Sequence, residues 1–343
     1  MKVNATLGDG ASSALEKRQR RLGDVPARVR VLEEAGVDCV TSAEVDHDPF
    51  LPLALAAEHS SRVELMTGIA VAFARTPMAL AHVAHDLNSY AQGRFILGLG
   101  SQVKAHIERR YDMPWSKPAA RMKEYISALH AVWDNWYDGK PLDFRGDFYT
   151  HTLMTPRFVP GDLDYGRPRI AVAAVGPLMT RAAAEVGDLL LCHAFTTRRY
   201  MEQVTVPMID QALSDNGRSR KDFEICYPPF LAILRKEEEL AEARHSLRGQ
   251  IAFYASTPAY RGVLDVHGWG DVQTELNRMA KADRWADMND VIDDTMLDEF
   301  AIYGDVRTVA EKLRSYEGLI DRISINADDL SADEVAALMA GLR

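Results

Sequence analysis

Two hydrophobic rhythms alternate along the chain. Short runs of β-branched and other apolar residues are separated by longer stretches in which apolar positions return every three to four residues. Segments 2–7 (KVNATL), 37–43 (VDCVTSA), 63–73 (VELMTGIAVAF), 94–100 (RFILGLG), 168–175 (PRIAVAAV), 188–195 (DLLLCHAF) and 319–326 (LIDRISIN) read as strands, and 222–235 (DFEICYPPFLAILR) holds a further one. Between them, 24–36 predicts a helix capped by Asp24 and stopped by Gly36, and DPFLPLALAAEHS predicts the next. Thr76–Pro77 opens a helix whose apolar positions are Leu80, Val83, Ala84, Leu87 and Ala91. In 121–139, Met122, Tyr125, Ile126, Leu129, Trp133 and Trp136 share one face, a stripe that predicts core packing. Gly176–Pro177 starts another helix, 305–318 is a helix, and 236–297 is mostly helical and dense in charge. Segment 141–152 reads as a hairpin turning at Arg145–Gly146.

Alternation of this kind forces parallel strands joined by right-handed crossovers. Eight such units close most naturally into a (β/α)8 TIM barrel, with the hairpin inserted after the fourth-strand helix and the helical region before the eighth strand. An open doubly wound sheet is the alternative. No linker or shift in composition divides the chain, so 1–343 is expected to be one domain.

Composition narrows the partners. The chain has 343 residues, is 47% hydrophobic and carries a net charge of -10. An acidic surface repels phosphate backbones, which argues against nucleic acid. No apolar run approaches the roughly 18 residues of a membrane span, and the N-terminus lacks a secretory apolar region, so a cytoplasmic protein without membrane partners is expected. Cys39, Cys192 and Cys226 lie far apart without a CxxC pair, which argues against a disulfide framework or a zinc site. A catalytic metal is not expected: DHD at 46–48 has no companion cluster and no histidine follows the first strand. The dinucleotide fingerprint G-x-G-x-x-G is absent, because GLGSQV lacks the third glycine.

Barrel active sites lie at the C-terminal strand ends. Charge is costly on core-facing strand positions and tolerable at that rim. The stretch TSAEVDHDPF (41–50) places Glu44, Asp46, His47 and Asp48 there, Asp48 also being suited to cap the helix that Pro49 begins. GLGSQVKAH brings Gly98 and Gly100 for close backbone approach, then Ser101, Gln102, Lys104 and His106. AVGPLMT brings Val175, Gly176 and Pro177 at a helix N-terminus, which suits an anion, together with Thr180. Arg75, Lys104, Arg109, Arg110 and Arg181 form a candidate positive corner.

Taken together these stretches resemble the bacterial-luciferase-like monooxygenase superfamily, and most closely its branch that uses the deazaflavin coenzyme F-420. The resemblance is carried by SAEVDHDPFLPLALAAEHS, by the run from VELMTGIAVAF through GLGSQVKAHIERRY, by AAVGPLMTRAAAEVGDLLL, and by FAIYGDVRTVAEKLRSYEGLIDRISI. Its most specific part is D-L-x-x-x-x-x-G-R-x-x-L-G-L-G, Asp86 to Gly100. It implies a barrel that binds F-420 at the strand C-termini and exchanges a hydride with a small alcohol, carbonyl or activated alkene. Glu44 then stands near the ring, Gly68–Ile69 forms a non-proline cis bulge behind it, Ser101, Gln102 and His106 contact the cofactor, and Val175, Gly176 and Pro177 hold its phosphate. The chain departs from F-420 sugar-phosphate dehydrogenases at Val45, where they place a His, and at Val103, where they place a Glu. His47 is the first candidate proton donor and Glu44 the second, with Asp46 and His106 beside them. Trp269 and Trp285 are candidate lid residues. The resemblance also implies a homodimer or higher homo-oligomer. FMN-dependent monooxygenase chemistry, served by a reductase partner, a non-catalytic flavin-binding protein and a metal hydrolase barrel are the other readings.

Overall fold

The computed structural model describes residues 1–7, 21–328 and 330–343. Eight strands form a closed ring: β1 (Lys2–Thr6), β2 (Cys39–Ser42), β3 (Glu64–Thr67), β4 (Phe95–Gly100), β5 (Arg169–Ala174), β6 (Leu189–Cys192), β7 (Glu224–Tyr227) and β8 (Arg322–Ile325). All neighbours run parallel, and β1 closes the barrel by setting Ala5 beside both Val40 and Ile325. A helix follows each strand on the outside: α1 (Val25–Glu34), α2 (Phe50–Glu58), α3 (Pro77–Tyr90), α4 (Pro118–Asp138), α5 (Pro177–Val186), α6 (Val206–Asp215), α7 (Val306–Arg314) and α8 (Ala332–Leu342). The sequence signals act as local chemistry requires. Thr76 Oγ1 accepts the Ala79 N–H ahead of α3, Asp305 accepts the Thr308 N–H ahead of α7, and Ser331 with Glu334 forms a capping box on α8. The aromatic stripe of α4 is buried throughout, as its spacing predicts.

Strand alternation sorts the residues into two cores. Outward positions such as Val3, Val40, Leu65, Leu97, Val172, Leu190, Ile225 and Ile323 pack beneath the helices. Inward, Cys39, Met66, Ile96, Ala171 and Leu189 fill the barrel's waist. Below them lies a feature that the cost of burying charge argued against. The first residues of β3, β7 and β8 are Glu64, Glu224 and Arg322, and Arg322, fully buried, bridges the two carboxylates. Lys2 pairs with Glu64 at 2.8 Å and Arg169 with Glu224 at 3.0 Å. Charge is tolerated here because each buried ion meets an opposite ion with hydrogen-bond geometry.

Two insertions were anticipated with displaced boundaries. The hairpin pairs Phe144–Arg145 with Thr150–His151, so its turn runs through 146–149, beginning at Gly146, whose N–H donates to Tyr149 O at 2.9 Å. The Glu124 carboxylate of α4 sets it there by accepting the N–H groups of Asp147, Phe148 and Tyr149 at 2.9, 2.7 and 2.7 Å. The expected strand at 222–235 splits at Pro228–Pro229, which cannot donate to a ladder. β7 stays in the barrel, while Phe230–Ile233 leaves it and pairs in parallel with Ala301–Gly304. That small sheet and the helices between 240 and 300 enclose a second core around Phe195, Ile251, Leu276, Leu297 and Phe300.

Candidate functional site

The run 63–73 is not one continuous strand. β3 stops at Thr67, Gly68–Ile69 is a cis peptide, and Ala70–Val71 resumes pairing with Leu99 and Gly100 of β4. Met66 stands beside Ile96 and Ala70 beside Leu99, so the β3 side carries one extra residue, a bulge. The chain staples this bulge from three sides. Gly68 N–H donates to Ser42 O at 2.7 Å, and Glu44 N–H donates to Ile69 O at 3.0 Å. Thr67 Oγ1 accepts from Gly98 N at 2.8 Å and donates to Gly98 O at 2.7 Å, replacing the interrupted ladder. A Cβ on Gly98 would lie 1.8 Å from Thr67 O, and one on Gly100 would lie 2.8 Å from the Ile69 side chain. The close approach anticipated for these two glycines is therefore made by the protein's own bulge.

Glu44 completes the support. It is buried, and its carboxylate accepts the Val71 N–H at 2.7 Å, the Arg75 guanidinium at 2.6 Å and the Tyr111 hydroxyl at 3.0 Å. Burial and the Glu44 bond together raise the Tyr111 pKa. Arg75 also reaches Asp48 at 3.2 Å, and Asp48 in turn accepts the Phe50 N–H at 2.9 Å, the capping role its position before Pro49 suggested.

The bulge edges a cavity of about 370 Å³ at the C-terminal mouth. Its walls are the upper inward residues Thr6, Thr41, Met66, Ala173, Leu191 and Ser324, together with Gly68 and Ile69. A second cavity, of about 460 Å³, shares Ile69, Ala173, Leu191 and Cys192 with the first and continues past Ser101, Gln102, Val175 and His193 to Tyr254 and Tyr260. Gln102 holds φ at 56°, which turns the backbone along the cavity's edge. Beyond Val175, Gly176 caps α5 without a side chain to bond its first amides, and Pro177 has none to offer. The N–H groups of Leu178 and Met179 are left for an outside acceptor.

The structure thus brings Glu44, Gly68, Ile69, Ser101, Gln102, Val175, Gly176 and Pro177 to one mouth. Asp46 and His47 are exposed on the loop after β2 and His106 is exposed on the short helix Lys104–Arg109; none of the three lines either cavity. The positive corner is dispersed. Arg75 is held by Glu44 and Asp48, Arg110 donates to Val45 O at 2.6 Å, and Lys104 lies 3.8 Å from Glu108. Arg109 and Arg181 are exposed. Trp269 stacks on His267 at 4.4 Å and Trp285 packs on Phe253 at 6.0 Å, so Tyr254 and Tyr260 are what the insertion contributes to the cavity. Sequence reasoning missed these tyrosines and His193. Thr6, Thr41 and Ser324 were legible as the last inward positions of their strands, and His193 as a titratable residue directly after one. Among the described residues, no three His, Cys, Asp or Glu side chains converge as a metal site, and no helix is long and apolar enough to cross a membrane.

An uncharacterized protein of Mycobacterium tuberculosis is 50% identical over 293 residues, 85% of this chain and 86% of its own. The 5,10-methylenetetrahydromethanopterin reductase of Archaeoglobus fulgidus is 26% identical over 294 residues, 83% of each chain. The coenzyme F420 dependent tetrahydromethanopterin reductase of Methanopyrus kandleri superposes with a TM-score of 0.73 at 19% identity, covering 99% of this chain and 96% of that one. The family model for luciferase-like monooxygenases matches residues 1–322, and the chain belongs to that family.

Proposed function

We propose that this protein is an oxidoreductase that transfers a hydride between coenzyme F-420 and a small alcohol, carbonyl or activated alkene. The observation that carries this reading is the convergence of the Gly68–Ile69 bulge, the Ser101–Gln102 turn and Val175 on one pair of joined cavities, with Gly176–Pro177 and the start of α5 directly beyond Val175. An apolar chamber suits a tricyclic ring, and the uncapped amides of Leu178 and Met179 suit the phosphate of its side chain. Ile69 would back the ring, and Ser101 and Gln102 would meet the polar chain between ring and phosphate. When bound, the deazaflavin supplies two-electron hydride chemistry; the protein supplies orientation and a site from which water is excluded.

Glu44 is held by three donors, two on one carboxylate oxygen and one on the other, which favours a role in fixing the bulge over one as a free acid. Exposed and outside the lining of both cavities, His47 and Asp46 gain no support as proton donors from the geometry. F-420 is favoured over FMN by the likeness in sequence to a putative coenzyme F420-dependent oxidoreductase of Mycobacterium tuberculosis and to an F420-dependent glucose-6-phosphate dehydrogenase of Intrasporangium calvum. Titration of the purified protein with each cofactor, followed by fluorescence quenching, tests the choice. Micromolar F-420 binding with weaker FMN binding is expected, followed by oxidation of reduced F-420 on addition of a ketone. Tighter FMN binding would turn the reading to a flavin monooxygenase, and binding of F-420 without turnover across alcohols, ketones and enones to a non-catalytic protein.

A further inference from the structure

Among the described residues, neither cavity of the mouth is lined by an Asp, Glu, Lys or Arg side chain. His193 stands out on this neutral wall. It follows β6 directly, and its ring is enclosed by two tyrosines from the helical insertion, Tyr254 at 4.6 Å and Tyr260 at 4.9 Å. Its Nδ1 accepts the Phe195 N–H at 3.0 Å. A backbone amide can only donate, so the neutral imidazole carries its proton on Nε2. Among the described residues Nε2–H has no hydrogen-bond partner, although the residue lines the cavity. Burial lowers the His193 pKa to about 4, so the ring is neutral near pH 7. The titratable groups packed around it, Tyr254, Tyr260, Tyr200 and Cys192, are all pushed upward by burial and are neutral there as well.

We infer that His193 Nε2–H is the donor to the substrate's oxygen, with Tyr254 and Tyr260 closing the pocket around it, and that the substrate is an uncharged ketone, aldehyde or alcohol. The inference deepens the hydride-transfer reading and rests on it for the chemistry that follows binding. A wall without charged side chains, on which His193 presents a fixed N–H donor, accepts a carbonyl or hydroxyl oxygen. It rejects a phosphate or carboxylate, which would lose its hydration without meeting a countercharge. The fixed tautomer also defines what His193 does. A proton added at Nδ1 would oppose the Phe195 N–H, so the ring serves as a neutral donor throughout the working range.

The test uses the full-length protein labelled with ¹⁵N at histidine, with and without saturating F-420 or FMN. The His193 Nε2–H resonance, identified by its loss in His193→Phe, is expected to persist from about pH 5 to 8 and to shift when acetone, cyclohexanone or 2-cyclohexenone is added. Cyclohexanone affinity is expected to fall about tenfold in His193→Phe and to recover in His193→Gln, which restores an N–H donor. Cofactor affinity should stay within about twofold of the parent in both variants, because the change lies at the substrate's donor. 4-Oxocyclohexanecarboxylate should bind at least about tenfold more weakly than cyclohexanone. The inference is overturned if no ketone moves the resonance in any state, if the carboxylate analogue binds as well, or if the resonance titrates near the ordinary histidine value of 6.5. Failure of F-420 to bind would sink the functional reading alone, since the ketone-induced shift on cofactor-free or FMN-loaded protein still decides this one.

Discussion

The two ends of the barrel solve opposite problems with the same strands. At the N-terminal floor, Lys2, Glu64, Arg169, Glu224 and Arg322 form one ion-pair network, and Arg322 is sealed from solvent. At the C-terminal mouth, the inward positions shrink to Thr6, Gly68, Ala173 and Ser324, and space remains where side chains would otherwise meet. The floor's charges are directed at one another. Charges near the mouth are drawn aside into the Glu44, Arg75 and Asp48 network, so the chamber itself is neutral. A barrel can therefore be closed by ions at one end and made receptive at the other by taking both charge and bulk away.

Mutations at the two ends should separate stability from binding. Arg322→Met is expected to have the largest effect, about 3–5 kcal/mol lost in denaturant unfolding at pH 7, because Glu64 and Glu224 would be left without their shared cation. Burial pushes both carboxylates up, but the hydrogen bonds and charge of Arg322 outweigh it and hold both below the ordinary 4.5. A depressed carboxylate contributes stability above its unfolded value and loses it as pH falls through the folded one. The gap between parent and variant should thus narrow below about pH 4.5, and a gap independent of pH would argue that the floor's charges are not what holds it.

At the mouth, Glu44→Gln should remove a charge-assisted bond to Arg75, an effect of about 1.5–3 kcal/mol. Its distinguishing sign is a greater loss in F-420 affinity than in unfolding free energy, measured by titration and by denaturant; equal losses would make Glu44 only a fold element. Gly98→Ala should destabilise by about 1–3 kcal/mol, because its methyl would collide with Thr67 O and force β3 from β4; an unchanged melting temperature would contradict the stapled bulge. The smallest effect is expected from His47→Ala, within about 0.5 kcal/mol of the parent in stability and without change in cofactor binding, since the side chain is exposed and lines neither cavity. A hundredfold drop in turnover for that variant would instead place the proton donor on the loop after β2.

How much was legible in the sequence follows from how far each signal reaches. The alternation of periods two and 3.6 is local, and it marked eight strands and most helices between them, although α6, α8 and the strand Ala301–Gly304 escaped notice. Gly176–Pro177 and Thr76–Pro77 announced helix starts because caps and prolines act within one turn. The charged floor went unread because the cost of a buried charge was visible in Glu64, Glu224 and Arg322, while the pairing that offsets it joins residues far apart in sequence. His47 looked as promising as Glu44 because both sit in one ten-residue stretch. Only the packed loop shows that one is buried against three donors and the other faces solvent.

By itself, then, the sequence determined the parallel barrel, the rim as the place for chemistry, and the family likeness that pointed to a cis bulge at Gly68–Ile69. The tertiary structure alone decided which rim residues meet a common cavity, that Tyr254 and Tyr260 arrive from an insertion remote in sequence to enclose His193, and that the chamber is neutral among the described residues. The physical reason is range. Periodicity, caps and turns are set by neighbours along the chain, whereas burial, countercharge and the shape of a cavity are set by whichever distant segments the closed barrel brings together.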